Sequence, residues 1–234
     1  MALILNMDTA TPVCSVALAK DGQLLAFREK NEKNIHAEVL NGFVAEVLEE
    51  AELGLKDLDA VAVSMGPGSY TGLRIGVSSA KGLCFSLDIP LIAIGTIESM
   101  ACWAAEQLPE QVSEKALFIP MIDARRMEVY GAFYNHNLEA QTKVMPHILD
   151  EHSFLEEAEN HQLVVTGDGA AKCQDIFAQR KEIKIFPEIL SSSRGMIRKA
   201  DEKFQHNEFV DVAYFEPFYL KEFIAGIPKV KGLR

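Results

Sequence analysis

The sequence lacks the features of a secreted or membrane-spanning protein. It contains no run of about 18 apolar residues, which predicts that the chain does not cross a membrane. Its beginning has no basic segment and reaches Asp8 too early for a signal peptide. None of its four cysteines forms a Cys-x-x-Cys pair; they are Cys14, Cys84, Cys102 and Cys173. We therefore expect reduced, mostly buried thiols and a cytoplasmic location.

Positive charge is scarce. The chain has 23 lysines and arginines against 34 aspartates and glutamates, which gives a net charge of −11. An acidic surface repels a phosphate backbone, so strong binding of nucleic acid by the chain alone is not expected. A role in a nucleic-acid pathway stays open if a partner supplies the basic surface.

Signatures of catalysis are also missing. The six histidines provide no helical pair at positions i and i+4, and the residue one turn after His36 is Leu40. A histidine at a helix start is more typical of a surface or capping residue than of a metal ligand. There is no Gly-x-Ser-x-Gly segment, and Cys84 lies among apolar helix residues. These observations predict no catalytic residue and no metal site.

What is present is an α/β pattern that occurs twice. With 48% apolar and 24% charged residues, the chain can form a proper core. Each half begins with an apolar run that ends in aspartate, at Asp8 and Asp123. Each half later has a buried strand that leads into a glycine-rich turn, at Gly66 and Gly167. The pattern predicts a duplicated fold with lobes at 1–107 and 108–234. The alternative is coincidence, because many α/β proteins have apolar strands that end in aspartate.

Apolar periodicity predicts the elements of each lobe. In the first lobe we expect strands at 3–7, 13–19, 23–29, 60–63 and 91–94, and helices at 36–53, 71–87 and 96–107. In the second we expect strands at 117–122, 127–134, 141–148 and 163–166, and helices at 154–158, 170–180 and 194–206.

Two types of segment could bind a nucleotide between such lobes. An aspartate at a strand end suits a Mg²⁺ shell, but the turns after Asp8 and Asp123 contain no glycine to admit phosphate. The Gly66-Pro67-Gly68-Ser69 turn precedes a helix N-terminus, where backbone N–H groups favour an anion, although no Gly-Lys-Ser/Thr follows as in a Walker A loop. The candidate nucleotide-binding residues are therefore Asp8, Gly66, Gly68, Ser69 and Asp123. In the alternative interpretation the aspartates cap local turns and Gly-Pro-Gly is a tight turn capped by Ser69 or Thr71.

The helix at 71–87 predicts a docking surface. It combines an apolar stripe with a strip of small residues, Gly76, Ser79 and Gly82, which let another helix approach closely. On this hypothesis Val77→Glu weakens association and leaves the fold intact. The alternative is that the helices at 36–53 and 71–87 only cover their own sheet.

Several segments closely resemble the TsaB (YeaZ) family, which belongs to the bacterial machinery that makes threonylcarbamoyladenosine in tRNA. The most specific is Gly-Pro-Gly-Ser-Tyr-Thr-Gly-Leu-Arg at 66–74, which is also typical of the catalytic relative TsaD. The other matching segments lie at 4–10, 14–18, 36–38, 80–83 and 123–130. The resemblance is strong from residue 3 to about 131 and weak beyond, except at 217–221.

The resemblance implies an actin-like (ASKHA, ribonuclease H-like) α/β fold and a non-catalytic role. TsaD carries two metal-binding histidines one helical turn apart, and the corresponding positions here are His36 and Leu40. TsaB members use two first-lobe helices, carried over here to 36–51 and 74–87, to form a homodimer or to bind TsaD, with the ATPase TsaE joining the complex. The interface residues implied are His36, Val39, Leu40, Phe43, Val47, Arg74, Val77, Ser78 and Lys81. No cofactor is expected to be required, weak ATP or ADP binding stays open, and tRNA is reached only through the complex.

Two other functions remain as alternatives. A stand-alone actin-like small-molecule kinase or ATPase would use Asp8 or Asp123 for Mg²⁺ and the glycine-rich turn for phosphate. A metalloprotease would need a bound metal. Whether the segment after Ala213 packs back on the first lobe is left open. Lys229, Lys231 and Arg234 form a small basic tail.

Overall fold

The computed structural model describes residues 2–109 and 112–221. Its first sheet consists of β1 (Leu3–Asp8), β2 (Val13–Lys20), β3 (Gln23–Asn31), β4 (Ala60–Gly66) and β5 (Leu91–Gly95). The strand order is β3-β2-β1-β4-β5. The first three strands are antiparallel neighbours, whereas β4 runs parallel to β1 and β5 runs parallel to β4.

The second sheet repeats this topology. It consists of β6 (Ala116–Asp123), β7 (Glu128–Gly131), β8 (Met145–Ile148), β9 (Gln162–Thr166) and β10 (Ile183–Phe186). Its order, β10-β9-β6-β7-β8, is that of the first sheet if β6 is matched with β1, and each neighbouring pair has the corresponding direction. The predicted duplicated α/β, actin-like fold is confirmed. The lobe boundary at 107/108 stays a prediction.

Six α-helices accompany the sheets in the described residues: α1 (His36–Glu50), α2 (Tyr70–Leu87), α3 (Thr96–Gln107), α4 (Leu155–Asn160), α5 (Cys173–Ile176) and α6 (Ile197–Gln205). Short 3-10 turns occur at Leu55–Asp57, Asp168–Lys172 and Ser193–Met196. The three helices predicted in the first lobe are confirmed, although α1 ends at Glu50 rather than at residue 53.

Strand β1 is buried along its whole length because helices cover both faces of the first sheet. Side chains alternate between the faces of a strand, and Leu3, Leu5 and Met7 pack in the apolar cluster that α1 and α2 share. Ile4 points to the opposite face and packs in a cluster with Ala200 of α6. The continuous apolar run at the start of the chain therefore forms a strand that is buried on both faces, in the centre of the sheet.

Helix α3 follows β5 along the chain and packs on the second sheet. Ile97 and Ala101 share an apolar cluster with Phe118 of β6. On the other face of β6, Ile119 packs in a cluster with Phe177. The second sheet therefore also has apolar packing on both faces.

The second lobe differs from the prediction in several elements. Strand β7 ends at Gly131 instead of continuing to residue 134. In place of a helix at 170–180 there is a 3-10 turn at Asp168–Lys172 followed by the four residues of α5. Strand β10 was not predicted, since it has only four residues and is mostly half-exposed.

The chain after residue 190 returns to the first sheet. The backbone N–H of Ser193 donates to Ser15 Oγ at 2.8 Å, and α6 packs beside β1 and β5. Further on, Val210 N donates to Leu91 O of β5 at 2.9 Å. The predicted basic tail, Lys229, Lys231 and Arg234, lies outside the described residues.

All four cysteines are buried and none forms a disulfide in the structure, which confirms the predicted burial of the thiols. Burial raises the pKa of Cys14 and Cys173 to about 12, and that of Cys84 and Cys102 to about 11. Because the thiolate is the nucleophilic form, these thiols are chemically inert near neutral pH. In the part of the chain that the structure describes, no helix is long and apolar enough to cross a membrane.

Candidate functional site

The Gly-Pro-Gly turn (residues 66–69), the strongest sequence candidate for phosphate, is packed against the turn between β1 and β2. The backbone N–H of Ser69 donates to Ala10 O at 2.7 Å. A Cβ atom on Gly68 would lie only 2.4 Å from the same oxygen. A glycine is therefore required here by contact between two segments of the chain, and the backbone N–H of Ser69 is already used in that contact.

The N-terminus of α2 continues this contact. Ser69 caps the helix, since its hydroxyl accepts from Gly72 N at 3.2 Å. A Cβ atom on Gly72 would lie 2.2 Å from Thr9 O, and one on Gly76 would lie 2.2 Å from Thr9 Oγ1. Gly76, expected to face a partner helix, instead lets α2 lie close to the chain's own β1–β2 turn.

Asp8 is likewise committed to internal contacts. Its side chain is 1% exposed, and Oδ1 accepts from Ala10 N at 2.9 Å. The other oxygen, Oδ2, accepts from Ser191 Oγ. Asp8 thus caps its own turn and ties residue 191 to the first sheet. A Mg²⁺ ion would have to displace these partners in a closed site.

Asp123, the counterpart of Asp8 in the second lobe, already has a cation beside it. Its Oδ1 accepts from Lys172 Nζ at 2.8 Å and from Arg125 N at 2.5 Å. Partial burial alone would raise the pKa of Asp123, but these hydrogen bonds outweigh it and lower that pKa. Asp8 and Asp123 therefore have separate partners: Asp8 in a buried network and Asp123 in an ion pair at the surface.

The neighbouring Asp168 completes the second-lobe turn. Its Oδ1 accepts from Asp123 N at 3.1 Å, and burial raises its pKa above the ordinary value. Just before it, Gly167 has a φ of +96°, and a Cβ there would lie 2.3 Å from Met121 O. Gly66, at the matching strand end of the first lobe, has a φ of +113°. In both lobes the glycine-rich turn is therefore in direct contact with the backbone of another segment of the chain. Among the described residues, no group of three or more His, Cys, Asp or Glu side chains is placed to hold a metal.

His36 differs from the expectation of a surface or capping residue. It is 6% exposed, and its Nε2 lies 2.8 Å from Thr11 O. Because a carbonyl oxygen only accepts, Nε2 must carry the proton. The ring thereby fastens the start of α1 to the end of the β1–β2 turn.

The structure corrects part of the predicted interface. Leu40, Val47 and Val77 are exposed by 1%, 0% and 4% and belong to the first-lobe core. Their side chains point inward because α1 and α2 need an apolar stripe to cover the sheet. His36 is buried as well, so none of these four side chains faces a partner. Val77→Glu is now expected to unfold the protein, since it buries an unpaired charge.

The other predicted interface residues remain accessible and stay predictions. Arg74 and Ser78 are exposed, and Val39, Phe43 and Lys81 are half-buried. Arg74 donates to the Tyr70 hydroxyl at 2.6 Å, whereas Lys81 donates to two carbonyl groups of the C-terminal segment.

Sequence reasoning missed the most exposed apolar residue on α2. Phe85 is 85% exposed and lies on the same side of the helix as Arg74, Ser78 and Gly82, at spacings of four and three residues. The available signal was a phenylalanine outside the apolar stripe, next to Cys84. Gly42 of α1 and Gly82 of α2 have open space where a Cβ would lie. We define the outer face of α1 and α2 as Val39, Gly42, Phe43, Arg74, Ser78, Gly82 and Phe85.

Comparison with known proteins gives consistent matches. The family model described as TsaD, tRNA N6-adenosine threonylcarbamoyltransferase, matches residues 28–225. The tRNA threonylcarbamoyladenosine biosynthesis protein TsaB of Escherichia coli K12 is 30% identical over 230 residues, which cover 95% of this chain and 96% of that protein. The TsaB protein of Bacillus subtilis 168 is 33% identical over 143 residues, which cover 61% of this chain and 59% of that protein.

Solved structures agree. A Pseudomonas aeruginosa protein described as similar to peptidase YeaZ superposes with a TM-score of 0.76 at 26% identity, over 94% of this chain and all of that one. YeaZ from Pseudomonas aeruginosa gives a TM-score of 0.74 at 25% identity with the same coverage.

The topology and the two closed turns define the class: a two-lobed, actin-like α/β protein whose glycine-rich turns are packed against its own backbone. Within that class, the chain belongs to the TsaD-type family of the matching model and, inside it, to the TsaB (YeaZ) proteins.

Proposed function

We propose that this chain is a non-catalytic partner subunit in the synthesis of threonylcarbamoyladenosine on tRNA, and that it forms a heterodimer with a TsaD-type catalytic protein. Two relationships support the pathway. The TsaB relatives are named for this biosynthesis, and the family model that matches most of the chain describes the transferase.

The outer face of α1 and α2 is the observation that carries the partner role. A glycine inside a helix costs about 1 kcal/mol relative to alanine. No atom lies within 4 Å of the Cβ positions at Gly42 and Gly82, so the fold of the isolated chain does not require a glycine at either position. Phe85 exposes 85% of its surface and follows Gly82 by three residues on α2. Small residues beside exposed apolar ones favour the close approach of another helix.

The closed turns support a role without catalysis. The carboxylate of Asp8 and the backbone N–H of Ser69 in the Gly-Pro-Gly turn form hydrogen bonds within the chain. The position of the second metal-binding histidine implied for TsaD is Leu40, which is in the core. The kinase or ATPase alternative would need Asp8 free for Mg²⁺, and a metalloprotease would need a ligand set. We therefore propose that the subunit requires neither metal nor nucleotide for its own role.

The remaining partners follow from the same proposal. In the absence of the TsaD-type protein, the outer face pairs with a second copy of the chain. TsaE joins the assembled complex, and tRNA is reached only through that complex, because a net charge of −11 disfavours direct binding. A cytoplasmic location accompanies this role.

The experiment is to mix the purified chain with the TsaD-type protein of the same organism and to measure mass by light scattering, alone and together. We expect a homodimer of the chain alone and a stable heterodimer in the mixture. If no complex forms at micromolar concentrations, with or without nucleotide, the proposal is wrong and the chain should be assayed for ATP turnover.

A further inference from the structure

The last described segment, residues 213–221, is fastened to α2 at its beginning. Lys81 Nζ donates to Ala213 O at 3.0 Å and to Phe215 O at 3.1 Å. Phe215 packs against the first-lobe core, and its backbone N–H donates to Asp211 O at 2.8 Å. One lysine of the second helix thus holds two carbonyl groups of the segment.

The middle of the segment covers the Gly-Pro-Gly turn. Phe218 N donates to Met65 O at 2.7 Å, and a Cβ atom on Gly66 would lie 2.4 Å from Phe218 O. The Tyr219 ring then lies 5.0 Å from the Tyr70 ring, between centroids. The turn is therefore packed on one side by Ala10 and on another by this segment.

The end of the segment reaches the second lobe. Lys221 Nζ forms an ion pair with the carboxylate of Glu128 in β7 and lies 5.8 Å from the centre of the Tyr130 ring. The segment consequently joins α2 to the second sheet at a place far in sequence from α3, the helix that connects the lobes.

We propose that residues 213–221 form a strap that seats and leaves as one unit, and that the seated strap couples Lys81 of α2 to the second lobe. The segment has no regular secondary structure beyond a turn at its start. The anchor at its end is an ion pair at the surface and the one at its beginning is half-buried, and single charge contacts in such places are weak. Separate weak contacts along one short segment form together or are lost together, because each contact that is formed lowers the conformational-entropy cost of forming the next.

The strap has a consequence for partner binding, and this step alone rests on the proposed function. Lys81 was predicted to lie in the partner interface, but its ammonium group is held by the strap carbonyls. A carboxylate is a stronger acceptor than a carbonyl group. The seated strap occupies two of the three donors of Lys81, so an acidic group of a partner competes with the strap carbonyls for this ammonium group.

Amide hydrogen exchange of the full isolated chain tests the strap. Lys81→Met removes the anchor on α2, and Glu128→Gln removes the anchor on β7. We expect each variant to raise the exchange rate about two- to fivefold at both Phe215 and Phe218, including the amide next to the intact anchor. Lys221→Gln, which breaks the second anchor from the strap side, should reproduce the result of Glu128→Gln.

A matched control is Lys203→Met, which breaks the Lys203–Glu208 ion pair of 3.3 Å outside the strap and should leave both amides unchanged. Unchanged exchange of β1 and β4 shows that the variants remain folded. Faster exchange only beside the mutated anchor, or none, overturns the proposal. Since no TsaD-type protein is present, this result is independent of whether such a protein binds.

Discussion

Gly68 and Gly82 differ in what surrounds the position of a Cβ atom. At Gly68 that position lies 2.4 Å from Ala10 O, whereas at Gly82 nothing lies within 4 Å. We expect Gly68→Ala to lower the free energy of unfolding by about 1–3 kcal/mol, because the two turns must separate. Gly82→Ala should raise it by up to about 1 kcal/mol, because alanine is the better helix former. Urea denaturation measures both, and a well-tolerated alanine at Gly68 would contradict the packing described.

His147 provides a pH-dependent contribution to stability. Burial lowers its pKa below the ordinary value, and a backbone hydrogen bond with Gly131 offsets this only in part. Its Nε2 is buried without a hydrogen-bond partner among the described residues, and the ring stands edge-on to Phe133 and Phe154.

The sign follows from proton linkage. The unfolded chain binds a proton at His147 below about pH 6.5, while the folded protein resists it. The contribution of His147 is therefore present above that pH and is lost as the pH falls. We expect His147→Phe to flatten the fall in unfolding free energy between about pH 7 and pH 5, measured by denaturation at several pH values. If the free energy of unfolding of the variant falls with pH as steeply as that of the parent protein, groups other than His147 control this pH dependence.

At the scale of elements, specific association through the outer face of α1 and α2 can be distinguished from non-specific association through any exposed apolar residue. Phe85 of α2 and Ile148 of β8 are exposed by 85% and 77%, so neither contributes much to the core. We expect Phe85→Ser to weaken association with the TsaD-type protein at least tenfold, which is about 1.4 kcal/mol. Ile148→Ser should leave that association unchanged.

Titration calorimetry and light scattering provide the measurement, and thermal melting shows whether both variants keep the stability of the parent. Equal effects of the two substitutions, or none for Phe85→Ser, would place the interface elsewhere. Gly82→Ala is a second probe of the same helix. It should weaken association although it stabilises the isolated chain, because the added methyl group lies where a partner helix would approach.

Elements could be predicted from the sequence to different degrees in the two lobes. The long apolar stripes of α1 and α2 predicted these helices, because a stripe that covers a sheet is a local pattern. The stripe also explains why Leu40, Val47 and Val77 were misassigned to the interface. Their side chains form the inner side of the same helices, and apolar character alone does not distinguish a core from a partner surface. Strand β10 was missed because four half-exposed residues give a weak pattern.

At the scale of the whole molecule, the two lobes should unfold together. The 3-10 turn that ends at Met196 and helix α6 lie in the second half of the sequence, yet Met196 and Ala200 of α6 pack in a cluster with residues of the first sheet. Helix α3 in turn packs on the second sheet. We expect a single calorimetric transition whose van't Hoff and calorimetric enthalpies agree. Two resolved transitions would mean that these cross-lobe contacts are weaker than the lobes themselves.

The sequence by itself determined the duplicated pattern of strands and helices and the family motifs, because each depends on residues close together along the chain. Only the tertiary structure decided what the motif residues do. Asp8 accepts a hydrogen bond from Ser191, 183 residues away, and Gly68 is needed because Ala10 O is beside it. An aspartate that binds a metal and one that caps a turn look the same in sequence. Which of the two it becomes depends on what the rest of the chain brings into contact with it.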